Sequence, residues 1–147
     1  MVASARLDRQ AIARRFFERW GASNGELMAS FEDTLAVDCR WEQRPMLVVS
    51  SRAQAIRFLK LSRVAIGLAT VDVELLHVAG VGPVVLTERV DHLLRKDGTR
   101  IASAPVAGVL EFDADGRIAA WREHFNAVGF AGQVAKHIVR RGVHVAR

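Results

Sequence analysis

Residues 84–125, VVLTERVDHLLRKDGTRIASAPVAGVLEFDADGRIAAWREHF, carry the pattern that decides the fold. Two Asp-Gly pairs, at 97–98 and 115–116, punctuate the stretch, and such pairs between β-rich runs are strong hairpin signals. They divide it into three predicted strands, 84–95, 100–112 and 117–125. Just upstream, LATVDVELLHVAG (68–80) reads as a further strand, broken by Gly80, Gly82 and Pro83. Long strands joined by short turns form an antiparallel meander.

The N-terminal half has a different period. Residues 5–20 place Ala5, Ile12, Phe16, Phe17 and Trp20 among arginines, an amphipathic helix that Gly21 ends. A short helix is predicted over 25–31. Residues 34–43 alternate, with Val37, Cys39, Trp41 and Gln43 on one face, and Pro45 stops that strand. Ser50 or Ser51 caps a helix predicted over 52–62, and a last helix is predicted over 129–141. Helices first and a meander afterwards predict a single α+β domain over 1–147. Its expected form is a cone-shaped, curved mixed or antiparallel sheet with helices packed on the concave side. The deep pocket of such a cone is the expected site.

Composition narrows the function classes. The chain has 147 residues, half of them hydrophobic and a quarter charged, as a globular domain with its own core requires. No apolar run reaches the roughly 18 residues of a membrane span, and the N-terminal stretch lacks the pattern of a signal peptide. A cytoplasmic protein with no membrane partner is expected. The lone Cys39 excludes an internal disulfide and a cysteine zinc cage. The net charge of +5 comes largely from arginines of the first helix and basic residues of the tail. Without aromatics interleaved among them these read as solvated helix faces, so nucleic acid is not an expected partner. The five histidines show no metal-ligand spacing, and Gly80-Val81-Gly82-Pro83 reads as a turn, not a phosphate loop. Neither a metal nor a cofactor is expected.

The unusual feature of the meander is its charge. In the strand 84–95, Arg89 and Asp91 share a face with Val85, Thr87 and Leu93, whereas His92 lies on the other face. In the last strand Glu123 lies between Trp121 and Phe125 on one face, with His124 opposite. If those faces and that of Trp41 and Gln43 point inward, two carboxylates, an arginine and an amide meet in one apolar pocket. That set suits acid–base work without a metal, and desolvation should raise the Glu123 pKa. An exposed Arg–Asp pair and a glutamate at a solvated strand end are the structural alternatives.

At these residues the chain resembles the limonene-1,2-epoxide hydrolase family, within the superfamily of nuclear transport factor 2, SnoaL-type cyclases and ketosteroid isomerase. The resemblance rests on Glu88-Arg89-x-Asp91, on the G-V-x-E-x-x-x-D-G-x-I hairpin from Gly108 to Ile118, and on Trp121-Arg122-Glu123-His124-Phe125. It implies direct epoxide opening without a covalent intermediate. Asp91 would be the general acid, Arg89 the bridging arginine and Glu123 the base. Trp41 and Gln43 would stand where the family places the tyrosine and asparagine that hold the water. Three of these five positions depart from the family pattern: Trp41, Gln43, and Glu123 in place of an aspartate. The expected substrate is a small or medium apolar epoxide bound among Trp41, Leu93, Val109, Trp121 and Phe125. The rival readings are a SnoaL-like cyclase or isomerase and a non-catalytic small-molecule-binding module. The resemblance also implies a homodimer through the outer face of the sheet, around Leu86 and Val90.

Overall fold

The computed structural model describes residues 7–145. Helices α1 (Arg9–Arg19), α2 (Asn24–Thr34) and α3 (Arg52–Ile66) lie in the first half with strands β1 (Leu35–Arg44) and β2 (Leu47–Val49). The meander follows as β3 (Thr70–Val81), β4 (Val84–Leu94), β5 (Arg100–Phe112) and β6 (Ile118–Phe125), and α4 (Ala127–Val145) ends the fold. The six strands form one open, curved mixed sheet in the order β2-β1-β6-β5-β4-β3. Only β1 and β6 run parallel among its neighbouring strands. The expected α+β architecture is the observed one.

Local chemistry explains the boundaries. The Ser23 hydroxyl accepts from the Glu26 N–H at 3.0 Å and Ser51 accepts from Gln54 at 3.1 Å, so each caps a helix. Both hairpin turns carry glycine at positive φ, Gly98 at 83° and Gly116 at 80°, as the Asp-Gly pairs predicted. The first helix is described from Arg9, so Ala5 and Arg6, like Arg147 of the tail, lie outside the described residues.

Several expectations need correction. Helix α2 continues to Thr34 and runs straight into β1. Strand β2, three residues long, is too short to show a period of two. Val37 is exposed, not on the face of Cys39 and Trp41, because the β1–β6 register shifts between Leu35 and Arg40. That irregularity breaks the alternation upstream of Cys39.

Phe16, Phe17 and Trp20 of α1, Phe31 of α2, Trp41 of β1 and Trp121 of β6 pack as one buried aromatic cluster. Burying each phenylalanine there contributes about 1.5–3 kcal/mol. Trp41 and Trp121 stack with centroids 4.6 Å apart and planes 9° from parallel, because the parallel seam places them side by side. The cluster floors the inner face of the sheet. No helix among the described residues is long and apolar enough to cross a membrane.

Candidate active site

Strand β4 sends Thr87, Arg89, Asp91 and Leu93 toward the helices, and Thr87, Arg89 and Asp91 are buried. Strand β6 sends Trp121 and Glu123 the same way, both buried. The parallel seam pairs Trp41 with Trp121 and Gln43 with Glu123. Between β4 and β6, Gly108 of β5 stands opposite both Thr87 and Glu123. A Cβ at Gly108 would meet Thr87 Oγ1 at 2.9 Å and Arg89 Nη1 at 3.1 Å. Glycine here leaves the volume through which the guanidinium reaches from β4 to β6.

Arg89 bridges the two carboxylates. Its Nε donates to Asp91 Oδ1 at 2.8 Å, and its Nη2 donates to Asp91 Oδ2 at 3.1 Å. The same Nη2 donates to Glu123 Oε1. Trp41 Nε1 and Gln43 Nε2 both donate to Glu123 Oε2, at 3.1 and 3.3 Å. Beneath the guanidinium lies the ring of Phe17, 4.5 Å from its carbon, with Trp20 at 5.6 Å. A weakly hydrated guanidinium tolerates such a setting when aromatic faces and carboxylates replace water.

Burial governs the electrostatics. It pushes the Glu123 pKa above the usual carboxylate range; the Arg89 charge and the N–H donors pull it down and Asp91 pushes it up, and the net shift is upward. For Arg89 burial opposes the charge, yet Glu123 and Asp91 outweigh it and raise its pKa, so it stays cationic. Cys39 is buried, its thiol pushed up to about 12 by desolvation, and is therefore unreactive. Among the described residues no group of His, Cys, Asp or Glu could hold a metal ion.

Asp91, Glu123, Trp41 and Gln43 line a mostly apolar cavity of about 140 Å³. Leu93 and Phe125 line it as expected. Two residues expected on the substrate wall, Val109 and Trp121, do not line the cavity. Val109 pairs with Leu86 and Arg122 on the outer face of the sheet, because Gly108 and Leu110 take the inward positions of β5. Trp121 is fully buried behind Trp41 and supports the cavity without lining it. The sequence reading missed the walls contributed by helices: Phe31, Phe58, Ser62, Ile66 and Phe130. Their helical period marks an apolar face but not what that face covers. Ser62 is spent on its own helix, donating to the Phe58 carbonyl at 2.9 Å.

Two buried carboxylates on one arginine, lining a mostly apolar cavity, sit on the curved sheet of a SnoaL-like, nuclear transport factor 2-like fold. A family model for the limonene-1,2-epoxide hydrolase catalytic domain matches residues 21–136, and the chain belongs to that family. No curated protein matches it. Among solved structures, an LEH-like epoxide hydrolase of M. tuberculosis is 23% identical, with 92% of this chain and 95% of that chain covered and a TM-score of 0.70. A protein described as a SnoaL-like polyketide cyclase, from Shewanella denitrificans, is 17% identical, with 89% and 99% covered and a TM-score of 0.71. One described as an isomerase of the SnoaL-like family, from Agrobacterium tumefaciens, is 15% identical, with 82% and 100% covered and a TM-score of 0.60. At these identities the likeness establishes the fold alone.

Proposed function

We propose that the protein is a cofactor-independent epoxide hydrolase that opens a small apolar epoxide by one-step acid–base attack of water. The observation that carries this reading is Arg89 held between Asp91 and Glu123 at the wall of an apolar cavity. One arginine and two carboxyls are neutral when the carboxyls share one proton, and burial favours that neutral state. Three N–H groups converge on the oxygens of Glu123 and offset part of the burial that raises its pKa, so they hold the carboxylate in place once it forms. Asp91 faces the cavity, where an epoxide oxygen offers its proton an acceptor.

In the reaction Glu123 takes a proton from water as the water oxygen bonds to a ring carbon. The carbon–oxygen bond of the ring breaks, and its electron pair goes to the epoxide oxygen, which receives the proton of Asp91. The product is a vicinal diol. Proton exchange with solvent during product release returns the shared proton to Asp91. A general acid and a general base each contribute roughly 100- to 10,000-fold. The cavity of about 140 Å³ is close to the ~150 Å³ that accommodates benzene in an engineered protein core, which favours substrates of that size. A homodimer through the outer sheet face belongs to the same reading; Leu76 and Leu86 are exposed there.

One observation favours a second reading. Trp41 and Gln43 both use N–H groups on Glu123 Oε2, and a tryptophan N–H cannot accept from water. An internal hydroxyl of the substrate would then replace water, as in a SnoaL-like cyclisation. Single turnover in oxygen-18 water of a small apolar epoxide, and of an epoxide that also carries a hydroxyl group, separates these outcomes. Label in the diol and none in the protein is expected. Label on Asp91 or Glu123 would mean an ester intermediate, and an unlabelled cyclic ether would favour cyclisation.

A further inference from the structure

Ser62 and Ile66 of α3 and Phe130 of α4 line the cavity and are half-buried. Arg95 ties these two helices together, donating to the Ile66 carbonyl at 2.9 Å and lying 3.3 Å from His137 Nε2. Neither α3 nor α4 contains an acidic residue. Both expose large apolar side chains: Leu61 and Val64 on α3, and Val128, Ile138 and Val139 on α4 are between 52% and 86% exposed. Arg57 and Lys60 on α3 and Lys136 and Arg140 on α4 are exposed beside them and form no ion pair among the described residues. Exposed apolar residues edged by unpaired cations are the composition of a helix that lies in a membrane interface.

We infer that the exposed faces of α3 and α4 form a docking surface for an anionic lipid bilayer. Charge complementarity selects this occupant: acid-free helices with free lysines and arginines are drawn to a negative lipid surface, and the apolar side chains enter the headgroup boundary. The expectation of no membrane partner rested on the lack of a spanning segment, and a surface-lying helix needs none. The surface stands on exposure and charge; only its purpose, collecting apolar epoxides where they partition, rests on the hydrolase reading.

Co-sedimentation of the full chain with vesicles tests the inference without substrate. Binding to mixed phosphatidylglycerol and phosphatidylcholine vesicles, weakened by salt and nearly absent with phosphatidylcholine alone, is the expected result. The double variant K136Q/R140Q should lower partitioning roughly 30-fold. V64E/I138E should abolish it while leaving hydrolysis of a water-soluble epoxide unchanged, since neither residue lines the cavity. Circular dichroism checks that both variants keep the fold. Failure to bind anionic vesicles, or equal binding to both kinds, overturns the proposal. So does a concentration-dependent dimer that V64E/I138E dissociates, or an oligonucleotide bound in preference to vesicles.

Discussion

Replacing Glu123 by glutamine keeps the shape of a protonated carboxyl and removes the base. The amide oxygen keeps the Arg89 N–H, and the new NH2 then faces Trp41 Nε1 across the 3.1 Å that was a hydrogen bond. Gln43 can turn its amide to accept, but Trp41 cannot, so one buried donor is orphaned at a cost of about 1–3 kcal/mol. The acid suffers as well. Arg89 is left with Asp91 as its only counter-charge, and an Asp91 serving that role has no proton to give. We therefore expect kcat/KM for a small apolar epoxide to fall by roughly 100- to 10,000-fold in E123Q, at least as far as in D91N. Stability adds an independent readout. Because burial raises the Glu123 pKa above its ordinary 4.5, there is a pH window above 4.5 in which the native protein holds a proton that the unfolded chain has released, and the carboxylate forms above that window. The contribution of this group is whole below pH 4.5 and is lost as pH rises through the folded pKa. E123Q has no such loss, so urea denaturation should show its deficit against wild type shrinking as pH rises. Retention of hydrolysis within about tenfold in E123Q, with D91N inactive, would refute the role of Glu123 in activating water.

The other predictions concern fit. Gly108→Ala puts a methyl 3.1 Å from Arg89 Nη1 and 2.9 Å from Thr87 Oγ1; about 1–3 kcal/mol of stability should be lost by thermal unfolding, with kcat reduced as the guanidinium shifts. Unchanged kcat in a folded G108A would mean that the arginine has room to spare. Glu123→Asp withdraws the carboxylate by one methylene from Trp41 and Gln43, and a base misplaced by about 1 Å loses on the order of 100-fold. Adding Gln43→Asn should recover part of the rate if the two long arms are matched. A strong rise in hydrolysis from E123D alone would instead favour the cyclisation reading.

The two Asp-Gly turns and the period of two make the meander legible, and with it which residues share a strand face with Arg89, Asp91 and Glu123, whereas the burial of that face is a matter of packing. Those signals are local, so the residues themselves display them. Val109 misled for the opposite reason. Alternation puts Gly108 and Val109 on opposite faces without saying which is inward, and Gly108 is, with Arg89 Nη1 of the neighbouring strand β4 lying 3.1 Å from where its Cβ would be. The register shift that turns Val37 outward arises from pairing with β6, some eighty positions away. The place of Phe58 and Phe130 at the cavity depends on how helices dock, which no local period encodes.

All three tryptophans of the chain, Trp20, Trp41 and Trp121, belong to one touching cluster. The indole of Trp41 is hydrogen-bonded to Glu123 and stacked on Trp121. Intrinsic ultraviolet emission and the near-ultraviolet dichroism of coupled indoles therefore originate beside the Glu123 carboxylate, with no tryptophan elsewhere to dilute them. The protein carries a built-in optical gauge of that carboxylate's charge and of whatever enters the cavity in front of it.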